Sequence, residues 1–154
     1  MGASLQPFQL HVADSVIDDL RGRLARTRLP DPAPGEPWAC GTDVAYLKQL
    51  VEYWHRGFDW RAQEARLNTF PQFKVPLHGI DVHFLHVPGQ GPKPTLLLSH
   101  GWPGSVFEFL DLIPRLTDPA RFGGDPADAF TVTRHRCRAM ACRSRPGNGA
   151  SAWR

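Results

Sequence analysis

From Ser15 onward, Val16, Ile17, Leu20 and Leu24 recur at three- and four-residue spacing and share one helical face. Asp19, Arg21, Arg23 and Arg26 take the opposite, solvated face, and Ser15 with Asp18 has the form of a capping box. Pro30, Pro32, Pro34 and Pro37 then predict an extended linker, since each lacks an N–H and biases its predecessor away from the helical region. A second helix is expected from about Asp43 to His55, on Val44, Leu47, Leu50, Val51 and Trp54, with a stop near Gly57. A short third helix follows Asp59. Amphipathic segments so widely separated predict helices draped over another body, not a compact bundle.

The period changes at Pro71. FKVPL and IDVHFLHV, separated by His78-Gly79, read as two strands joined by a tight turn. TLLLS is a short apolar run, as expected of a strand buried on both faces of a parallel sheet. Past HGWPGS, Ser105 and Glu108 form a second capping box, opening a helix that turns Val106, Phe109, Leu110, Ile113 and Leu116 to a core. TDPARFGGDPADA is a loop, and FTV begins another strand. Strand, strand, buried strand, Gly-containing turn, helix, strand is the opening of an α/β domain, and the sheet stops where it should continue.

Composition sharpens this picture in one respect. A chain of 154 residues allows one ordinary domain, and 42% hydrophobic with 21% charged residues fits a soluble globular protein. No apolar run approaches the roughly 18 residues of a membrane span, so no membrane partner is expected. MGASLQPFQL lacks the pattern of a secretory signal, and Gln6 stands where myristoylation wants Ser or Thr; the expected location is the cytoplasm. The net charge of +3 misleads, because the stretch 133–154 holds six Arg and no acid. Without it, twelve basic residues face fifteen acidic ones, a net charge of −3. A nucleic-acid-binding domain carries its cations on a folded face, whereas these sit in a stretch without Leu, Ile, Val or Phe. No nucleic-acid partner is expected.

Candidate chemistry centres on His100-Gly101-Trp102-Pro103-Gly104-Ser105, between the buried strand and the capped helix. In open α/β sheets ligands bind beyond the carboxyl ends of the strands, and backbone N–H groups at such a turn suit a developing negative oxygen. Pro103 has no N–H, so the useful donor is Trp102 N–H. On spacing alone an ordinary strand-to-helix turn, with Gly for geometry and Trp102 as packing, stands slightly ahead of this reading. His100 reads as fixing the loop by hydrogen bonds, not as a catalytic base. Ser105 reads as a cap, since no Gly-x-Ser-x-Gly elbow surrounds it. Asp125 reads as a turn residue. His78, His83 and His86 evoke a metal, but His83 and His86 fall on opposite sides of a strand. Cys40 is isolated, and Cys137 and Cys142 with His135 lack a fourth zinc ligand, so no metal is expected.

The chain resembles the epoxide hydrolases of the microsomal type and their soluble bacterial relatives. The matching stretches are PFQLHVADSVIDDLRGRLARTRLPD, YLKQLVEYWHRGFDWRAQEARLNTFPQF, IDVHFLHV, HGWPGS and LTDPARFGGDPADAF, nearly all of residues 7–132. The resemblance implies an α/β fold. Residues 5–110 would be the helical N-terminal region that wraps the hydrolase domain, 74–132 the overlapping first strands of an incomplete α/β-hydrolase core, and 133–154 a disordered tail. It also implies conversion of a small-molecule epoxide to a vicinal diol, without a cofactor. An Asp on a nucleophile elbow forms an ester, lid tyrosines protonate the leaving oxygen, and a His paired with an acid activates water. HGWPGS would be the oxyanion loop, with Trp102 N–H acting in ester hydrolysis. The nucleophile, the general base and the general acid have no match in this chain; Tyr46 and Tyr53 fit no lid position and read as packing. The chain is therefore expected to be inactive alone. The rival readings are another α/β-hydrolase, such as an esterase or peptidase with a Ser nucleophile, and a non-catalytic fragment that binds a partner through its exposed half-sheet.

After FTV the family continues with a segment like APSLPGYGFS, where this chain has TRHRCRAMACRS. Residues 133–144 can be written with allowed codons, Arg as CGN throughout. Read from the third base, they then give Ala-Pro-Ser-Leu-Pro-Gly-Tyr-Gly-Leu-Ser-Phe. A lost base near Val132 would thus make 133–154 an out-of-frame stretch and explain its Arg excess.

Overall fold

The first helix, α1 (Asp14–Ala25), begins from Ala13, which offers no side-chain cap. Ser15, expected to cap it, lies inside the helix. Asp14 supplies a negative charge to the first turn and pairs with Arg61. On its apolar face Ile17 is buried, Leu20 and Leu24 are half-buried, and Val16 is exposed. The computed structural model describes residues 4–77 and 79–135. His78, Cys137, Cys142, the side chain of His135 and the stretch 136–154 lie outside the described residues.

The chain divides into two units, residues 11–64 and residues 1–10 with 65–154, and the division falls inside a helix. In the first unit, Asp43 accepts the N–H of Tyr46 at 2.9 Å and opens α2 (Val44–Glu52). The helix widens into one π-type turn over Tyr53–Gly57, and Phe58 then turns extended. Asp59 accepts the N–H of Ala62 at 3.0 Å at the start of α3 (Trp60–Asn68). Tyr46 and Tyr53, expected to pack, are 47% and 58% exposed. Tyr46 does meet Trp38, with ring centroids 5.1 Å apart, and the Tyr53 ring lies over Gly57, where an added Cβ would come within 2.8 Å of it.

A carboxylate organises this unit. Glu64 is buried, accepts the Val12 N–H at 2.6 Å, and pairs with Arg61, which also holds Asp14. Burial works to raise the Glu64 pKa, but the Val12 N–H and the Arg61 guanidinium outweigh it and the net direction is down. The hydrogen bond from Arg61 lowers the Asp14 pKa as well.

The second unit carries a five-stranded mixed sheet in the order β1-β2-β3-β5-β4. Its strands are β1 (Gln6–Pro7), β2 (Gln72–Leu77), β3 (Ile80–Val87), β4 (Lys93–Leu98) and β5 (Phe130–His135). β2 and β3 form the expected hairpin, antiparallel from Gln72↔Leu85 to Leu77↔Ile80, with Gly79 at φ 73 in its turn. β5 runs antiparallel to β3 and parallel to β4. The capping box opens a single 3-10 turn, Val106–Phe109, and the helix proper is the short α4 (Ile113–Thr117). Val106, Leu110 and Ile113 point inward, joining Leu67, Leu85 and Val132 in the core. A polar tie flanks it: Asn68 exchanges hydrogen bonds with both backbone groups of Leu10 at 2.8 and 2.9 Å and accepts from the Gln72 amide at 2.7 Å.

Two expectations need correction. The TLLLS strand is not buried on both faces: among the described residues β4 has one neighbour, and Leu97 is 66% exposed. The tail expected to begin at 133 is ordered in its first residues, because β5 continues through His135. Backbone pairing is the reason, since Thr133 and Arg134 face His86 and Leu85 on one side and Leu97 and Leu98 on the other. No helix among the described residues is long and apolar enough to cross a membrane.

Replacing Glu64 by Ala leaves the Val12 N–H without its acceptor and should cost about 1–3 kcal/mol in chemical denaturation. Because the folded pKa of Glu64 is lowered, the stability it confers is complete above its ordinary value of 4.5 and is lost as pH falls below it. Denaturation midpoints measured across that range should fall with pH in the native chain and fall less in Glu64→Gln.

Candidate functional site

The HGWPGS loop begins two residues after β4, at the carboxyl end of its parallel pairing with β5. That is the edge where open α/β sheets place ligands. His100 is buried, and its Nδ1–H donates to the Gly101 carbonyl at 2.8 Å. The same carbonyl accepts the Gly104 N–H at 2.8 Å, closing a turn around Trp102 and Pro103. The Trp102–Pro103 bond is cis. His100 therefore fixes the loop, as its sequence context suggests.

Trp102 is 85% exposed, so the reading of this side chain as packing does not hold among the described residues. Its backbone N–H donates no hydrogen bond to any of those residues. The Gly101–Trp102 peptide is trans, and in a trans peptide C=O and N–H point in opposite directions. Tying the Gly101 carbonyl to His100 and Gly104 therefore turns the Trp102 N–H the other way, out of the turn. Pro103 supplies no donor.

The far end of the loop is held by the expected capping box. Ser105 N–H donates to Glu108 Oε1 at 2.8 Å, and Ser105 Oγ accepts the Phe107 N–H at 3.3 Å. Gly104 cannot carry a side chain here: an added Cβ would fall inside the Glu108 carboxylate and 2.8 Å from the Gly101 carbonyl. This contact of Gly104 with Glu108 is absent from any reading of the motif as text, though the four-residue spacing is its signal. Ser105 is thus a cap. Asp125 is a turn residue, accepting the Ala127 N–H at 2.8 Å.

The histidines of β3 are used separately. His83 Nε2–H donates to Gln72 Oε1 at 2.9 Å, and His86 is hydrogen-bonded through Nδ1 to Thr133 Oγ1 at 2.9 Å. Among the described residues no three His, Cys, Asp or Glu side chains are grouped to hold a metal ion.

A model of the family described as "Epoxide hydrolase N terminus" matches residues 5–109. The chain belongs to the epoxide hydrolase family. Epoxide hydrolase 1 of Oryctolagus cuniculus is 42% identical over 154 aligned residues, covering 96% of this chain and 32% of the rabbit protein. A relative from Stigmatella aurantiaca (strain DW4/3-1) is 47% identical over 129 residues, 83% of this chain and 29% of its own length. Among solved structures, the Aspergillus niger epoxide hydrolase superposes with a TM-score of 0.76 at 29% identity, covering 96% of this chain and 38% of that one. The juvenile hormone epoxide hydrolase of Bombyx mori gives 0.71 at 28% identity, covering 87% and 35%. The chain thus spans about a third of the length of the epoxide hydrolases it matches, aligns with their N-terminal part, and carries the opening of their α/β-hydrolase fold.

Removing the Ser105 hydroxyl (Ser105→Ala) should cost about 1 kcal/mol, the usual worth of such a cap. Gly104→Ala should cost more, within the roughly 0.5–3 kcal/mol range of single substitutions, because it displaces Glu108 as well. Urea midpoints of the two variants should rank in that order.

Proposed function

We propose that residues 5–132 are the N-terminal part of an enzyme that opens small-molecule epoxides to vicinal diols through an aspartyl ester. The observation that carries this reading is the outward-turned Trp102 N–H at the carboxyl edge of the parallel strands, within a chain of this family. When activated water adds to the ester carbonyl, its oxygen gains negative charge. A preorganised N–H stabilises that oxygen more than it does the neutral ester. His100, Gly101, Pro103 and Gly104 shape the loop. The Asp nucleophile, the lid tyrosines and the His with its acidic partner have no match among these 154 residues, so the isolated chain is catalytically silent.

The proposal extends to the reading frame. Arg134 is fully buried, with its guanidinium carbon 5.5 Å from the Phe109 ring centroid. The shifted reading puts Ala at this position. A base lost near the Val132 codon would account for the basic stretch that follows.

Purified 154-residue chain incubated with a simple aromatic epoxide should form no diol; measurable turnover would overturn this assignment. Sequencing the DNA beyond the Val132 codon should reveal, in a shifted phase, a frame encoding the rest of a hydrolase. An Asp at its nucleophile elbow supports epoxide opening, whereas a Ser there favours an esterase or peptidase. In the protein with its frame restored, Trp102→Pro removes the donor and should slow ester hydrolysis by about 10²–10³-fold. The aspartyl ester should then accumulate to a level visible by mass spectrometry, while Trp102→Ala retains the N–H and releases diol.

A further inference from the structure

We infer that Glu108 is a positioning residue for the Trp102 N–H, acting through the loop rather than only as the cap of the turn that follows. This rests on the oxyanion reading of Trp102 given above. The geometry that supports it runs in sequence. The direction of the Trp102 N–H is set by where the Gly101 carbonyl is held, because the two groups share one trans peptide plane. That carbonyl is held by two donors at 2.8 Å: His100 Nδ1–H from the strand side and Gly104 N–H from the far side of the turn. His100 is anchored by burial. Gly104 has no side chain of its own to anchor it, and the segment is otherwise exposed at Gly101, Trp102, Pro103 and Ser105.

What locates Gly104 is the Glu108 carboxylate. It occupies the space a Gly104 side chain would need and takes the next amide along, Ser105 N–H, at 2.8 Å. Ser105 φ −146 and ψ 176 keep that residue extended, so the amide held by Glu108 lies one residue from the amide that holds Gly101. Loss of the carboxylate frees the far side of the turn, leaves His100 as the one remaining side-chain anchor, and lets the Gly101–Trp102 peptide rotate. A residue that merely capped the 3-10 turn would have no such reach.

The test uses the 154-residue chain and needs no turnover. Amide proton and nitrogen resonances, with hydrogen exchange, are followed for Trp102, Gly104 and Ser105 in the native chain and in three variants. In Glu108→Ala the Ser105 amide should exchange at least tenfold faster, and the Trp102 amide resonance should shift or split. Glu108→Gln keeps an oxygen acceptor and should restore both. Ser105→Ala removes the hydroxyl cap but leaves Glu108 on the Ser105 N–H, and should leave the Trp102 amide where it was. A Trp102 resonance unchanged in Glu108→Ala, while Ser105 exchange rises, would show that Glu108 is a cap and nothing more. Should Glu108→Ala unfold the chain, Glu108→Asp, which retracts the carboxylate by one methylene, is scored on the same two resonances. Failure of the oxyanion reading would appear elsewhere, as diol release undiminished in Trp102→Pro, and would leave this outcome standing.

Discussion

β5 is hydrogen-bonded on both sides, antiparallel to β3 and parallel to β4. A parallel pair cannot be joined by a tight turn, so the chain leaving β4 must cross over and return to the starting end of the sheet before β5 begins. Residues 99–129 are that crossover, and their structure follows from the requirement. The chain leaves β4 through the HGWPGS turn, buries Val106, Leu110 and Ile113 against Leu85 and Val132, and comes back through two short turns, the second capped by Asp125. The loop lies where it does because the pairing is parallel. Its donor faces outward because the Gly101 carbonyl is taken from both sides.

Much of this was legible as text. The hairpin of β2 and β3, the Ser105–Glu108 box and the roles of His100 and Asp125 each follow from local rules, and local rules survive folding when the partners are a few residues apart. The misjudged elements share a different cause. TLLLS reads as a doubly covered strand because its composition is that of a central one, yet coverage depends on neighbours that a pattern of five residues does not contain. Ser15 reads as a cap, but the first turn of α1 is stabilised by Arg61, 47 residues further along than Asp14. Such pairs leave no periodic trace. The Asn68 tie to Leu10 spans 58 residues and was equally invisible.

The ordered start of the 133–154 stretch shows the same separation of scales from the other direction. Sheet pairing is written in the backbone, and Thr133, Arg134 and His135 take their places in the ladder. Thr133 even finds a partner in His86. Regular secondary structure at these positions therefore reflects backbone pairing, and Arg134 takes its place there fully buried, with its guanidinium carbon 5.5 Å from the Phe109 ring centroid.

The open side of β4 has a consequence beyond the single chain. Among the described residues β4 has one neighbour, and Leu97 on it is 66% exposed. A row of backbone groups along the open side of a strand is a template on which another strand can pair, so this edge is where copies of the chain would begin to associate.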